Sequence, residues 1–201
     1  MQIYFKDITK TYDGKTVLDH VNLHIDTGSD NRDVLLRGPS GIGKTTLLRI
    51  IAGLEKADSG STEISMGEAA HGGNSLKVGM VFQEDRLLEK LTAVDNVSLV
   101  DPAVSRERAR EALSEILPPE ALDKPVKELS GGMKRRVAIV RAMLPPSDML
   151  VMDEPFTGLD PDTRERVIAY IMKSKGKRPL ILASHEVEGL PKMRELILEQ
   201  K

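Results

Sequence analysis

The chain contains no cysteine and no tryptophan, and only 3% of its residues are aromatic. Without thiols there is no disulfide and no thiolate metal site. A surplus of one charge is missing as well: 29 basic residues face 31 acidic ones, for a net charge of -2. Nothing global therefore argues for nucleic acid or an anionic membrane surface as a partner. Long apolar runs are also lacking. A helix needs about 18 apolar residues to span a bilayer, and the longest candidate, Leu47 to Leu54, is broken by Arg49. The opening Met1-Gln2-Ile3-Tyr4-Phe5-Lys6-Asp7 has neither the basic region nor the apolar stretch of a secretion signal. These absences lead us to expect a soluble, cytosolic chain. Its 201 residues suffice for one packed core, or for a core with a smaller lobe.

Three textures occupy that length. From Ile3 to Ile25 apolar residues alternate, with Val21, Leu23 and Ile25 set against Asn22, His24 and Asp26. Period-2 alternation predicts strands with one wet face, hence an antiparallel layer. By contrast, Val34–Leu36, Val78–Phe82, Met149–Met152 and Leu180–Ala183 are short unbroken apolar runs, the pattern of parallel strands covered on both faces. Between about Thr92 and Leu144 the period becomes helical: Ala109, Ala112, Leu113, Ile116 and Leu117 form one stripe, Met133, Val137, Val140 and Leu144 another, with Pro118-Pro119 between them. A further helix should start at Asp160-Pro161 and run towards Lys175 before Gly176. Gly67 to Ser75 reads as a mobile turn. The expected fold class is α/β: a mostly parallel core with an N-terminal antiparallel β layer and an inserted all-helical lobe. The core should take residues 1–83 and 145–201 and the lobe residues 84–144.

Gly38-Pro39-Ser40-Gly41-Ile42-Gly43-Lys44-Thr45 spells G-x-x-x-x-G-K-[ST] between an expected strand and an expected helix beginning near Thr46. That setting gathers backbone N–H groups and the positive end of a helix dipole around one anion. Lys44 adds a point charge, and the Thr45 hydroxyl is free to ligate magnesium. The implied ligand is a nucleoside triphosphate, and the mostly parallel core is expected to be a P-loop NTPase core. A second signal follows the run Met149-Leu150-Val151-Met152, which places Asp153 and Glu154 at the carboxyl end of a buried strand, the edge where open parallel sheets bind ligands. Asp153 then suits magnesium, and Glu154 suits the water that attacks the terminal phosphorus.

The third signal is Leu129-Ser130-Gly131-Gly132-Met133 at the head of a helix. Here the chain resembles the ATP-binding cassette (ABC) ATPase family, whose signature is usually written LSGGQ, and nearly the whole chain keeps that family's motif order. The resemblance implies ATP and Mg²⁺ as ligands and head-to-tail docking of two domains, either two copies of this chain or this chain and a paralogous ATPase subunit. Ser130, Gly131 and Gly132 of one domain would then close over the nucleotide held by the loop of the other. It further implies that Gln83 senses magnesium and the attacking water, that Asp160 in Gly158-Leu159-Asp160 lies at the dimer interface, that His185 contacts the γ-phosphate, and that Tyr12 packs against adenine. A membrane-spanning transporter subunit would dock between Gln83 and about Leu99, leaving the chain cytoplasmic and peripheral on the inner face of the cell membrane.

Three departures from the family pattern stand out. Met133 replaces the usual signature glutamine, Arg37 precedes the loop where a small or apolar residue is more common, and the chain stops soon after Leu196-Ile197-Leu198, so an accessory C-terminal regulatory domain is not expected. Lys134, Arg135, Arg136 and Arg141 read as the solvated face of a helix, and no nucleic acid is expected. A soluble ABC-type ATPase acting on nucleic acid or ribosomes is the alternative, but neither sustained heptads nor a second phosphate loop is present. A purely regulatory ATP-binding module is disfavoured by the intact Glu154 and His185.

Overall fold

The computed structural model describes residues 1–65 and 76–199; the turn expected over Gly67–Ser75 lies outside the described residues. Eight strands and five α-helices are described in chain order: β1 (Gln2–Tyr12), β2 (Lys15–Asp26), β3 (Val34–Arg37), α1 (Lys44–Ile51), β4 (Ser59–Ser65), β5 (Val78–Val81), α2 (Ala93–Ser98), α3 (Arg106–Ser114), α4 (Gly131–Met143), β6 (Met149–Asp153), α5 (Pro161–Lys175), β7 (Leu180–Ala183) and β8 (Arg194–Ile197).

The strands divide into the two expected sheets. β2, β1 and β4 form an antiparallel layer in the order β2-β1-β4, while the other five form a sheet in the order β5-β6-β7-β3-β8, every pairing of which is parallel. Along β6 the side chains alternate between two cores. Leu150 and Met152 join the cluster shared with α2 to α5, and Met149 and Val151 join the cluster shared with β1, β2 and α1. All five β6 residues are buried, which is why the four ahead of Asp153 form an unbroken apolar run. β4 has no such signature. Its polar segment Ser-Gly-Ser-Thr-Glu-Ile-Ser lies at the edge of the antiparallel layer with only Ile64 partly buried, and edge strands carry little of the alternation that marks a strand.

Helices α2 to α4 lie between β5 and β6 in the chain and close around Val94, Val97, Ala109, Leu113, Val126 and Val137, all nearly or fully buried. Their starts are locally encoded. Thr92, Ser105 and Ser130 accept from the N–H three residues on, at 3.1, 3.2 and 3.3 Å, and each such cap contributes about 1 kcal/mol. α5 starts in the same way: Asp160 accepts from the Thr163 N–H at 2.9 Å, and Pro161 occupies the first helical position. Arg37 finds a partner across the sheet in Glu195, at 3.2 Å from β8. With both side chains nearly half exposed, this pair contributes at most about 1 kcal/mol.

Candidate functional site

A cleft of about 470 Å³ opens over the carboxyl ends of β3, β6 and β7 and is lined by the loop before α1, Tyr12, Gln83, Asp153, Glu154, Thr157 and His185. β3 delivers the loop. Gly43, at φ +106, is the N-cap of α1 and offers no side-chain cap, so the helix's first N–H groups keep their hydrogen-bonding capacity for an anion. A Cβ on Gly43 would stand 2.8 Å from the Val17 carbonyl, and one on Gly38 would stand 2.7 Å from the Leu198 carbonyl. The loop is pressed between the two sheets, and only glycine fits at these two points.

Lys44 is 8% exposed. Its Nζ donates to the carbonyls of Gly38 and Pro39 at 2.7 and 3.0 Å, curling the side chain back over the loop it would serve. The Thr45 hydroxyl donates to Asp153 Oδ2 at 2.7 Å. Asp153 is 2% exposed. Burial pushes its carboxyl up from the usual range, against the lowering effects of the Thr45 bond and the Lys44 charge. A cation beside Thr45 and Asp153 would relieve that burial. Among the described residues there is no cluster of three or more histidine, aspartate and glutamate side chains able to cage a metal. A hydroxyl, one carboxylate and phosphate oxygens form the donor set that suits magnesium, which keeps several waters and seldom needs a full protein cage.

Glu154 sits one residue beyond β6 at φ +47, a left-handed conformation that is unusual without glycine. Its N–H donates to the Ala183 carbonyl at 2.8 Å, and its Oε2 accepts from the His185 N–H at 3.1 Å. The His185 ring, 57% exposed, brings Nε2 to 3.5 Å from Glu154 Oε1. Gln83, also in the lining, is exposed. Tyr12 stands at the mouth, 40% exposed. Its hydroxyl donates to Glu55, and the Lys10 ammonium lies 5.3 Å from the ring centroid, so one face of the ring is occupied. The Glu55 bond raises the Tyr12 hydroxyl above its ordinary range.

Tyr12, Ser40, Gly41, Gly43 to Thr46, Gln83, Asp153, Glu154 and His185 share this cleft, whereas Gly38, Pro39, Ile42, Ser130, Gly131, Gly132 and Asp160 are not among its lining. Ser130, Gly131 and Asp160 are exposed elsewhere. Gly132 is the one that touches another motif, a Cβ there standing 3.3 Å from Leu159.

The three arginines of α4, though not Lys134, correct the sequence reading. Arg135 is 4% exposed, Arg136 donates to the Ile116 carbonyl at 2.6 Å, and Arg141 donates to the carbonyls of Arg86 and Asp85 at 2.8 and 2.7 Å. These guanidiniums are not a solvated face. They cap carbonyls that end strands and turns, where no element supplies a partner. Helical period alone gives no sign of this, because an arginine buries its stem and head only where carbonyls converge. Glu55 and Thr157 also line or brace the site and carried no sequence signal.

An open parallel sheet with a glycine-rich loop entering a helix, and acids on the neighbouring strand end, defines the phosphate-loop class of nucleotide-binding α/β domains. Residues 18–157 match the ABC transporter family, and the chain belongs to that family. The aliphatic sulfonates import ATP-binding protein SsuB 1 of Rhodococcus jostii (strain RHA1) is 43% identical over 88% of this chain and 70% of its own length. The sulfate/thiosulfate import ATP-binding protein CysA of Nephroselmis olivacea is 35% identical over 92% of this chain. The chain spans only 56% of that relative's length. Among solved structures, the ATP-binding cassette MJ0796, seen as a post-hydrolysis dimer bound to ADP and Pi, superposes with a TM-score of 0.78 at 30% identity over 93% of this chain and 89% of its own.

Proposed function

We propose that the chain is the ATP-binding and ATP-hydrolysing subunit of an ABC transporter and powers translocation by a separate membrane-spanning subunit. The observation that carries this reading is the split between one cleft, where loop, acids and histidine converge, and a signature tip that stays outside it on the surface. One chain holds half of each site, so two chains docked head to tail would complete two. That the related cassette is seen as a dimer in a post-hydrolysis state supports a pairing of two chains.

Lys44 and the amides of the loop and α1 would hold the β- and γ-phosphates, with Tyr12 offering its free face to adenine. Thr45, Asp153 and Gln83 would hold magnesium, which when bound neutralises charge on the phosphate oxygens. Glu154 orients and polarises the water, its own Oε2 fixed by the His185 N–H, and the His185 side chain reaches towards the γ-phosphate. Ser130 and the N–H groups of Gly131 and Gly132 from the second chain would close the other side.

Among the described residues no helix is long and apolar enough to cross a membrane, so membrane attachment would be through the partner. The docking surface is the segment after Gln83, where Leu88 and Leu99 are 51% and 63% exposed. Buried Asn96 pins this segment, accepting from the Leu88 N–H at 2.7 Å and donating to the Leu88 and Thr92 carbonyls at 3.0 Å. Both named relatives serve import, of aliphatic sulfonates and of sulfate or thiosulfate, and we read the direction here as import too. The choice of cargo falls to the partner chains.

Glu154→Gln tests the reading. Removing the water-orienting carboxylate should lower phosphate release by about 10² to 10³-fold while ATP still drives dimer formation, measured by light scattering. Wild-type turnover in this variant would refute the assignment.

A further inference from the structure

We propose that Arg135 is a positioning residue for hydrolysis, locking the backbone that aims Glu154 and tying it to the helix whose tip serves the opposite nucleotide. This rests on the ATPase reading above. Glu154 is held at φ +47, a conformation that costs a non-glycine residue stability and persists only where its surroundings over-determine it. The holding groups are few. The Ala183 carbonyl accepts from the Glu154 N–H, the His185 N–H donates to its carboxylate, and its carbonyl accepts from the Thr157 N–H at 3.4 Å and, more closely, from Arg135 Nη2 at 2.7 Å, with the Asp153 carbonyl 3.4 Å from the same nitrogen. The other arm of the same guanidinium, Nη1, donates to the Phe82 carbonyl at 2.6 Å and to Asp85 Oδ1 at 3.1 Å.

One planar cation thus crosslinks the strand end that carries Gln83 to the strand end that carries Glu154. It is mounted on α4, five residues after Ser130. With Arg135 only 4% exposed and Asp85 the acid paired with it, an apolar side chain would fill the space at less electrostatic cost if filling were its only role. What an apolar side chain lacks is the fork. Four acceptors on two strand ends demand a rigid, multi-donor head. Any tilt of α4 as its tip engages the second chain's nucleotide is carried through this head to the backbone under Gln83 and Glu154.

The test uses the full chain with Mg-ATP and three variants. Arg135→Met removes the donors, Arg135→Lys keeps the charge but loses the fork, and Arg135→Gln keeps a planar donor without charge. Methionine and lysine should each lower kcat at least about tenfold, since misplacing a reacting group by a fraction of an ångström is enough. KM and binding of a fluorescent ATP analogue should stay within about threefold of wild type, because the loop is untouched. Glutamine, able to donate to the Glu154 carbonyl, should recover part of kcat. If methionine misfolds, as a melting curve would reveal, the lysine variant decides. The proposal is overturned if kcat in the lysine variant stays within twofold of wild type, or if kcat and ATP affinity fall together in all three variants. A wild-type chain that releases no phosphate would instead overturn the ATPase reading and this proposal with it.

Discussion

Two helices begin at glycine-rich turns, and their tips could hardly differ more. The tip of α1 is pressed between two sheets: Gly38 and Gly43 face backbone carbonyls closer than 3 Å from where a Cβ would sit, and Lys44 is 8% exposed and bonded to its own loop. The tip of α4 is open. Ser130 and Gly131 are exposed, and a Cβ on Gly131 would meet nothing within 4 Å. The fold of this chain demands the first set of glycines and makes no demand for Gly131. A residue whose smallness serves nothing in its own chain points to something that comes close from outside. On the proposed reading, that contrast separates the half-site built within one chain from the half-site lent to another.

The sharpest way to break the comparison is to damage each tip in a different subunit. Lys44→Ala disables the cradle and Ser130→Arg blocks the lent tip, so each variant alone should lose turnover by orders of magnitude. Mixed, they should regain activity. A heterodimer pairs the intact cradle of the Ser130→Arg chain with the intact tip of the Lys44→Ala chain, leaving one competent site. Random pairing predicts about one quarter of wild-type phosphate release. No recovery would mean that cradle and tip act within the same chain.

The glycines sharpen the same point at smaller scale. Gly43→Ala forces a left-handed φ of +106 on a side chain and drives its Cβ into the Val17 carbonyl, so it should destabilise the fold by about 2 kcal/mol or more in urea melts. Gly131→Ala should leave melts unchanged or raise stability by up to about 0.5 kcal/mol, since alanine is the better helix former. Its turnover should nonetheless fall roughly tenfold or more, because the added methyl stands where the second chain's phosphate has to approach. If Gly131→Ala turned over normally, the open tip would have no close visitor.

The same contrast explains what could be read from the residues alone. β6 and β7, and β3 up to Arg37, were legible because burial on both faces leaves no room for polar residues, β5 was legible from its apolar run although it lies at the sheet edge and is only partly buried, and the cradle was legible because its glycines and lysine answer constraints within a few residues of each other. β4 was not, since an edge strand with a single partly buried side chain has nothing to alternate. Arg135 was not either. Its acceptors lie 18 to 53 positions away in sequence, so nothing local distinguishes it from a solvated helix charge. Arg37, without explanation in the sequence, proves to answer Glu195 on a strand that is its neighbour only after folding.

The smallest expected effect concerns the cradle's own acid. Burial raises the Asp153 carboxyl above its ordinary value of 3.8. For an acid shifted upward, the associated stability is complete below the ordinary value and is lost as pH rises through the shifted one. At neutral pH the nucleotide-free chain therefore holds a desolvated carboxylate at a cost. Asp153→Asn keeps a partner for the Thr45 hydroxyl and removes that charge, so its unfolding free energy at pH 7 should match or slightly exceed wild type, by on the order of 1 kcal/mol in urea melts. The gap should narrow as pH falls through the raised titration range of the wild-type carboxyl, where it takes up its proton. Excess magnesium with ATP should reverse the order at pH 7, because the cation stabilises only the chain that kept its carboxylate. An asparagine variant that is less stable at neutral pH without nucleotide, with the deficit persisting in acid, would mean that the Asp153 charge is satisfied by Lys44 and Arg135 alone and that the cradle does not wait for a cation.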